Sequence, residues 1–165
     1  VIGFYRNLPG YVIRGFEFDS RYQWRGAFAS LSLSSVVGER RHSLRDPWGK
    51  DEPMVDIPPR KAVLTAGYTF APAGLTLGAQ GKFVRAQDRV PQNVNPEAVG
   101  YAYPAQHGYA LAGLFAVWQP ATAGLKGMEL RLAVDNLFNR SYQPYLTEGA
   151  EGMGRAIRSS VSWRF

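Results

Sequence analysis

Few side chains in this sequence are equipped for chemistry, and their types narrow it sharply. There is no cysteine, and the only histidines are His42 and His107. A thiol nucleophile, a disulfide framework and a Cys-based metal site are therefore excluded. Neither an H-E-x-x-H pair nor a nucleophile-elbow pattern occurs. Gly78 to Lys82 (G-A-Q-G-K) lacks the spacing and the following Ser or Thr of a phosphate loop and reads as strand glycines. Glu151 to Arg155 (E-G-M-G-R) has the glycines of an anion cradle, but no helix follows to supply one. An enzyme is not expected.

The chemistry that remains is ligand binding. An imidazole can ligate iron, and haem iron takes His or Tyr as axial ligand. Tyr101, Tyr103, Tyr142 and Tyr145 offer flat faces, and Arg40, Arg41, Arg89 and Arg140 can pair with carboxylates. The candidate ligand contacts are His42, His107, Arg40, Arg41, Tyr142 and Tyr145, set against the plainer reading of an aromatic girdle and a basic rim. No intrinsic cofactor or metal site is expected.

The elements that must carry these residues alternate with period two. Met128, Leu130, Leu132 and Val134 interleave with Glu129, Arg131, Ala133 and Asp135. A strand with one apolar and one polar face results, whereas a helix would show charge on every side. The same rhythm predicts strands over Tyr11–Tyr22, Ala27–Ser34, Lys61–Phe70, Leu75–Phe83 and Ile157–Phe165, and Tyr109–Trp118 reads as an aromatic-rich strand. Short turns separate some of these strands. Long aperiodic segments separate the others, at 39–59, 89–106 and 139–153, so short and long connections alternate. That alternation, with strands near ten residues, is the pattern of an outer-membrane barrel with tight periplasmic turns and long outer loops. The candidate ligand residues fall in or beside the long loops. Glu129, Arg131 and Asp135 fall on a polar strand face, which in a barrel looks inward.

Composition agrees. Of 165 residues, 45% are hydrophobic and 22 are aromatic, yet no apolar run is long enough for a membrane helix. Barrel strands escape that test because only every second residue meets lipid. The net charge is +6, and fifteen of the nineteen cationic residues are Arg. The cations are scattered rather than clustered on one element, which argues against nucleic acid and for a rim facing anionic headgroups or an anion-accepting mouth.

The C-terminal stretch carries a resemblance. N-L-F-N-R-S-Y at Asn136 to Tyr142, then G-x-G-R at Gly152 to Arg155, then a strand ending Trp163-Arg164-Phe165, resembles the C-terminus of TonB-dependent outer-membrane receptors. Gly15 to Phe18 (G-F-E-F) and D-I-P-P-R at Asp56 to Arg60 resemble strand and strand-entry patterns of the same family. D-I-P-P-R, Leu114 to Pro120 and N-L-F-N-R-S-Y together are similar to its haem/haemoglobin branch. Asn93-Val94-Asn95-Pro96 does not match that branch's N-P-N-L motif, which is not carried over. In a bacterial envelope, the N-x-S match at Asn139-Arg140-Ser141 is a coincidence.

The expectation is thus an all-β, antiparallel transmembrane β-barrel fragment of about seven strands. A 22-stranded barrel at roughly 24 residues per strand needs about 500 residues, so residues 1–165 form its C-terminal portion, with the plug domain, the TonB-contacting region and the earlier strands absent. The start at Val1, with no Met or signal peptide, fits a fragment. The resemblance implies an outer-membrane receptor that imports haem or iron with TonB-coupled energy. Its partners would be the TonB complex, outer-membrane lipid and lipopolysaccharide, and haem/haemoglobin. The alternatives are a ferric-siderophore receptor, a passive porin or adhesin barrel, and a soluble β-sandwich.

Overall fold

The computed structural model describes residues 10–41, 50–91, 105–147 and 149–164. The strands are β1 (Tyr11–Trp24), β2 (Ala27–Arg40), β3 (Glu52–Pro53), β4 (Lys61–Phe70), β5 (Leu75–Val84), β6 (Tyr109–Trp118), β7 (Met128–Asp135) and β8 (Ala156–Trp163). All seven long strands join one sheet in chain order, each antiparallel to the next, and β3 is a two-residue spur on β2. The described residues form one sheet with no second layer, which is not a sandwich, and the β-sandwich alternative fails on this point.

The register explains why the sheet needs no second layer. Phe18 pairs with Leu33, Leu33 with Ala62, Ala62 with Phe83 and Phe83 with Ala110. Nearer the short turns, Tyr68 pairs with Leu77, Leu77 with Ala116, Ala116 with Leu132, and Leu130 with Val161. Since side chains alternate across a strand, these residues share one face, which is apolar from β1 to β8. Nothing among the described residues covers it. Among the described residues the buried apolar side chains are Ile57, Val90 and Pro120, while Phe16, Leu64, Leu77, Phe83, Leu114, Leu132 and Val161 stand exposed. A water-soluble chain of this size would bury such a row.

The opposite face carries Ser30, Ser32, Thr65, Gln80, Lys82, Glu129, Arg131 and Arg158. Its polar groups bond to one another: Thr69 to Thr76 at 3.0 Å, Gln80 to Thr65 at 3.3 Å and Arg158 to Asp135 at 2.6 Å, with Arg131 paired to Glu129. Two large rings also lie on this face. Phe28 covers Gly67 and Phe115 covers Gly78, so that a Cβ at either glycine would overlap the ring, and the two rings are 6.4 Å apart between centroids.

The largest departures from the sequence expectation are at the ends of β1 and β2. β1 runs to Trp24, because Arg25 and Gly26 alone make the turn, with φ of 45° and 88°. Positive φ at both positions is what a two-residue hairpin turn requires. β2 continues through Gly38 to Arg40 instead of ending near Ser34, because β1 pairs with it along its whole length and β3 extends the ladder at Glu39 and Arg40. The last strand is described only to Trp163, and Phe165 lies outside the described residues.

Candidate functional site

The long connections between β2 and β4, β5 and β6, and β7 and β8 all emerge at one end of the sheet, and they are tied to each other there. At the base of the first, Ile57 is buried against Gly38, whose missing side chain makes the room. Gln87, also buried, donates from Nε2 to the Ile57 carbonyl at 2.9 Å, and its backbone exchanges hydrogen bonds with Gln106 at 2.9 and 3.0 Å. The neck of the second connection is thereby closed onto the first. Arg89 pairs with Glu39 at 2.9 Å across the same junction. The third connection is fastened by Tyr145, whose hydroxyl donates to the Val55 carbonyl at 2.6 Å.

The third connection is built by the two asparagines of N-L-F-N-R-S-Y. Asn136 and Asn139 both take left-handed backbone, at φ 47° and 50°, a conformation Asn tolerates better than other side chains. Asn136 is 5% exposed. Its amide donates to the carbonyls of Arg140 at 2.8 Å and Met153 at 3.1 Å, and its side-chain oxygen accepts from the Arg140 N–H at 2.9 Å. Asn139 Oδ1 accepts from the Arg155 N–H at 2.9 Å. The outgoing and returning arms are thus stitched together. Above the stitch, the Gly152 N–H donates to the Tyr142 carbonyl at 2.7 Å, and the Tyr142 ring lies flat on Gly152. Its other neighbour is Tyr109, with ring centroids 4.5 Å apart.

The predicted contact residues fare differently. His107 and Tyr142 come together, lining one cleft of about 380 Å³ with Gln106, Gln143, Gly149 and Glu151. Arg40 sits at the end of β2 rather than in a loop, and its guanidinium is held by Glu52 at 2.7 Å. Arg41 is exposed beyond it, its backbone N–H donating to the Gly10 carbonyl at 3.0 Å. Tyr145 is committed to Val55. His42, with Tyr101 and Tyr103, lies outside the described residues. Sequence reading missed Tyr109 and Glu151 as neighbours of His107 and Tyr142. Only the aromatic-rich start of β6 hinted at the first.

A cleft lined by one imidazole, two phenols, a hydroxyl, two amides and a carboxylate has donors and acceptors for a planar, carboxylate-bearing ligand. It holds no cluster of metal-ligating side chains, and none occurs elsewhere among the described residues.

Comparison with known proteins places the sheet. The family described as TonB dependent receptor-like, beta-barrel matches residues 2–137. TonB-dependent heme receptor A of Haemophilus influenzae is 47% identical over the whole chain, and its namesake of Haemophilus ducreyi is 47% identical over 99% of it. The chain spans only 22% of the length of either. Among solved structures, copper transporter OprC superposes with TM-score 0.75 at 22% identity, over 94% of this chain and 24% of that one. The FrpB iron transporter of Neisseria meningitidis gives 0.74 at 21%, again over 94% of this chain and 24% of that one. A single sheet, apolar on one side throughout and tied by its long loops at one end, is what such a barrel wall requires, and the chain belongs to the TonB-dependent receptor β-barrel family.

Proposed function

We propose that residues 1–165 are the C-terminal portion of an outer-membrane active-transport receptor that binds haem or haemoglobin at the cell surface and imports haem or its iron with TonB-coupled energy. The plug domain, the region that contacts TonB and the earlier strands would belong to the rest of the polypeptide. The reading makes the protein a carrier of its ligand, not a catalyst. The apolar face would meet lipid and lipopolysaccharide, and the polar face would look into the barrel. The observation that carries the haem assignment is identity of 46–47% along essentially the full chain to proteins titled TonB-dependent heme receptor A. The cleft between His107 and Tyr142 supports it, because it sits among the long loops, where a surface ligand first arrives.

The test is a haem titration of the full-length protein in detergent, followed by Soret absorbance. The expected result is a saturable shift near one haem per chain, weakened in His107→Ala. A folded barrel that gives no shift would overturn the haem assignment and turn attention to other ferric chelates.

A further inference from the structure

The apolar face ends, at the long-loop side, in a trough of about 680 Å³ with a distinctive rim. Phe16 and Phe83 form its walls, 60% and 52% exposed, and Leu33, Ala62 and Ala110 form its floor. The register explains the shape. Ala62 lies between Leu33 and Phe83, and Phe83 lies between Ala62 and Ala110, so small residues alternate with large ones across adjacent strands. Arg60, Arg85 and Arg140 are also in the lining, with Lys61 as a fourth cation beside them. Arg60 and Arg85 are held side by side by the hydrogen bond from the Arg85 N–H to the Arg60 carbonyl, at 2.9 Å. Arg140 is brought in by the Asn136 stitch.

Two arginines at this end of the sheet already hold carboxylates, and Arg41 and Arg155, which hold none among the described residues, do not line the trough. Arg40 is paired with Glu52 and Arg89 with Glu39. Arg60, Arg85 and Arg140 are exposed, and among the described residues their guanidiniums have no carboxylate partner. Among the described residues no acidic one lines the trough. Glu39, which falls on the same side of β2 as Leu33, is already taken by Arg89. Three unpaired guanidiniums above an apolar floor leave a site that lacks an anion on top and a hydrocarbon chain beneath.

We infer that this trough binds a phosphorylated lipid of the outer leaflet, a lipid A-type glycolipid, with its phosphate on Arg60, Arg85 and Arg140 and an acyl chain between Phe16 and Phe83. The inference rests on the outer-membrane barrel reading and names the lipid partner of its outward face. Guanidinium suits the task because its planar fork meets phosphate oxygens in pairs. The position suits it as well, since the long-loop end of such a barrel faces the cell exterior and the arginines stand where the apolar band gives way to headgroups. A free phosphate would use the arginines but not the trough, and a neutral lipid the trough but not the arginines.

The full-length protein, purified delipidated in detergent, is titrated with diphosphoryl lipid A, with its dephosphorylated form and with inorganic phosphate, and bound lipid is counted by native mass spectrometry. Saturable binding of diphosphoryl lipid A is expected, weakened about tenfold or more in the triple variant R60Q/R85Q/R140Q. Variant R25Q/K126Q, which removes two charges at the short-turn end, is expected to bind as the native protein does. Equal binding by the triple variant, equal binding of the dephosphorylated lipid, or full competition by inorganic phosphate would each overturn the inference. Outer-membrane insertion of each variant is scored separately by heat-modifiable gel mobility. A native protein that inserts without binding lipid A refutes the trough alone, whereas one that fails to insert refutes the barrel reading beneath it.

Discussion

Leu132 tests which side of the sheet faces lipid. It is exposed on the apolar face and flanked by Ala116 on β6 and Ser159 on β8, so nothing nearby would shield a charge placed there. It stands four residues beyond Met128, which pairs with Trp163 near the short turns. At about 3.3 Å per residue and a tilt of about 40°, Leu132 lies roughly 10 Å above that level, close to the middle of a band about 25 Å tall. An arginine at that depth costs about 2–4 kcal/mol. Arg131 is the control. It projects from the other face and pairs with Glu129 on its own strand, both in contact with solvent, so Arg131→Leu forfeits an exposed ion pair worth about 0–1 kcal/mol. The assay is equilibrium denaturant unfolding of the full-length protein refolded into thin-bilayer vesicles. The expected gap between the two variants is about 2 kcal/mol, close to a thirtyfold difference in the folding constant. Equal costs, or a larger cost for Arg131→Leu, would mean that the two faces have been assigned the wrong way round.

Two further predictions concern the third loop. Asn136→Ala removes three hydrogen bonds from a buried position and should cost about 2–4 kcal/mol locally, seen as faster proteolysis between residues 136 and 155 of the detergent-solubilised protein. Asn136→Gly should be cut equally fast although it keeps the backbone freedom, and native-like resistance in either variant would contradict the stitching role. Gly152→Ala should destabilise the protein by about 1–3 kcal/mol by forcing the Tyr142 ring off its seat. In the double variant with Tyr142→Ala most of that cost should vanish, and strictly additive costs would show that the ring does not rest there.

The sequence made the sheet legible and the site only partly so. Period-two alternation located six of the seven long strands, because lipid on one side and polar groups on the other impose it residue by residue, whereas β6, apolar on both faces, was legible only as an aromatic-rich run. The overrun of β2 was hidden, since Gly38-Glu39-Arg40 has no alternation and is held in the strand by pairing with Tyr11 to Ile13 and with β3. The turn after β1 was placed too early because Arg-Gly is not the usual Asn-Gly signal, although Arg25 adopts the same positive φ. N-L-F-N-R-S-Y was visible as a motif, but its work was not. That work depends on Met153 and Arg155, more than a dozen residues away, and on two backbone torsions no local pattern announces. The candidate ligand residues divide for the same reason. Arg40 and Tyr145 are consumed by partners from distant connections, Glu52 and Val55, whereas His107 and Tyr142 share a cleft only because Gly152 lets the tyrosine lie down.

The two phenylalanines on the polar face bear on clearance. A ring standing upright from a strand would project into the space the wall encloses, but Phe28 and Phe115 are laid along the wall over Gly67 and Gly78. The wall is therefore low-relief across β2, β4, β5 and β6 at that level, rising by little more than the thickness of a ring, about 3.5 Å. The glycines confer this profile, since any side chain at either would tip its ring inward. A smooth, greasy strip set into an otherwise hydrogen-bonding surface offers a body inside the barrel contact without polar bonds to break when it shifts. Along that strip, movement is limited by width rather than by adhesion.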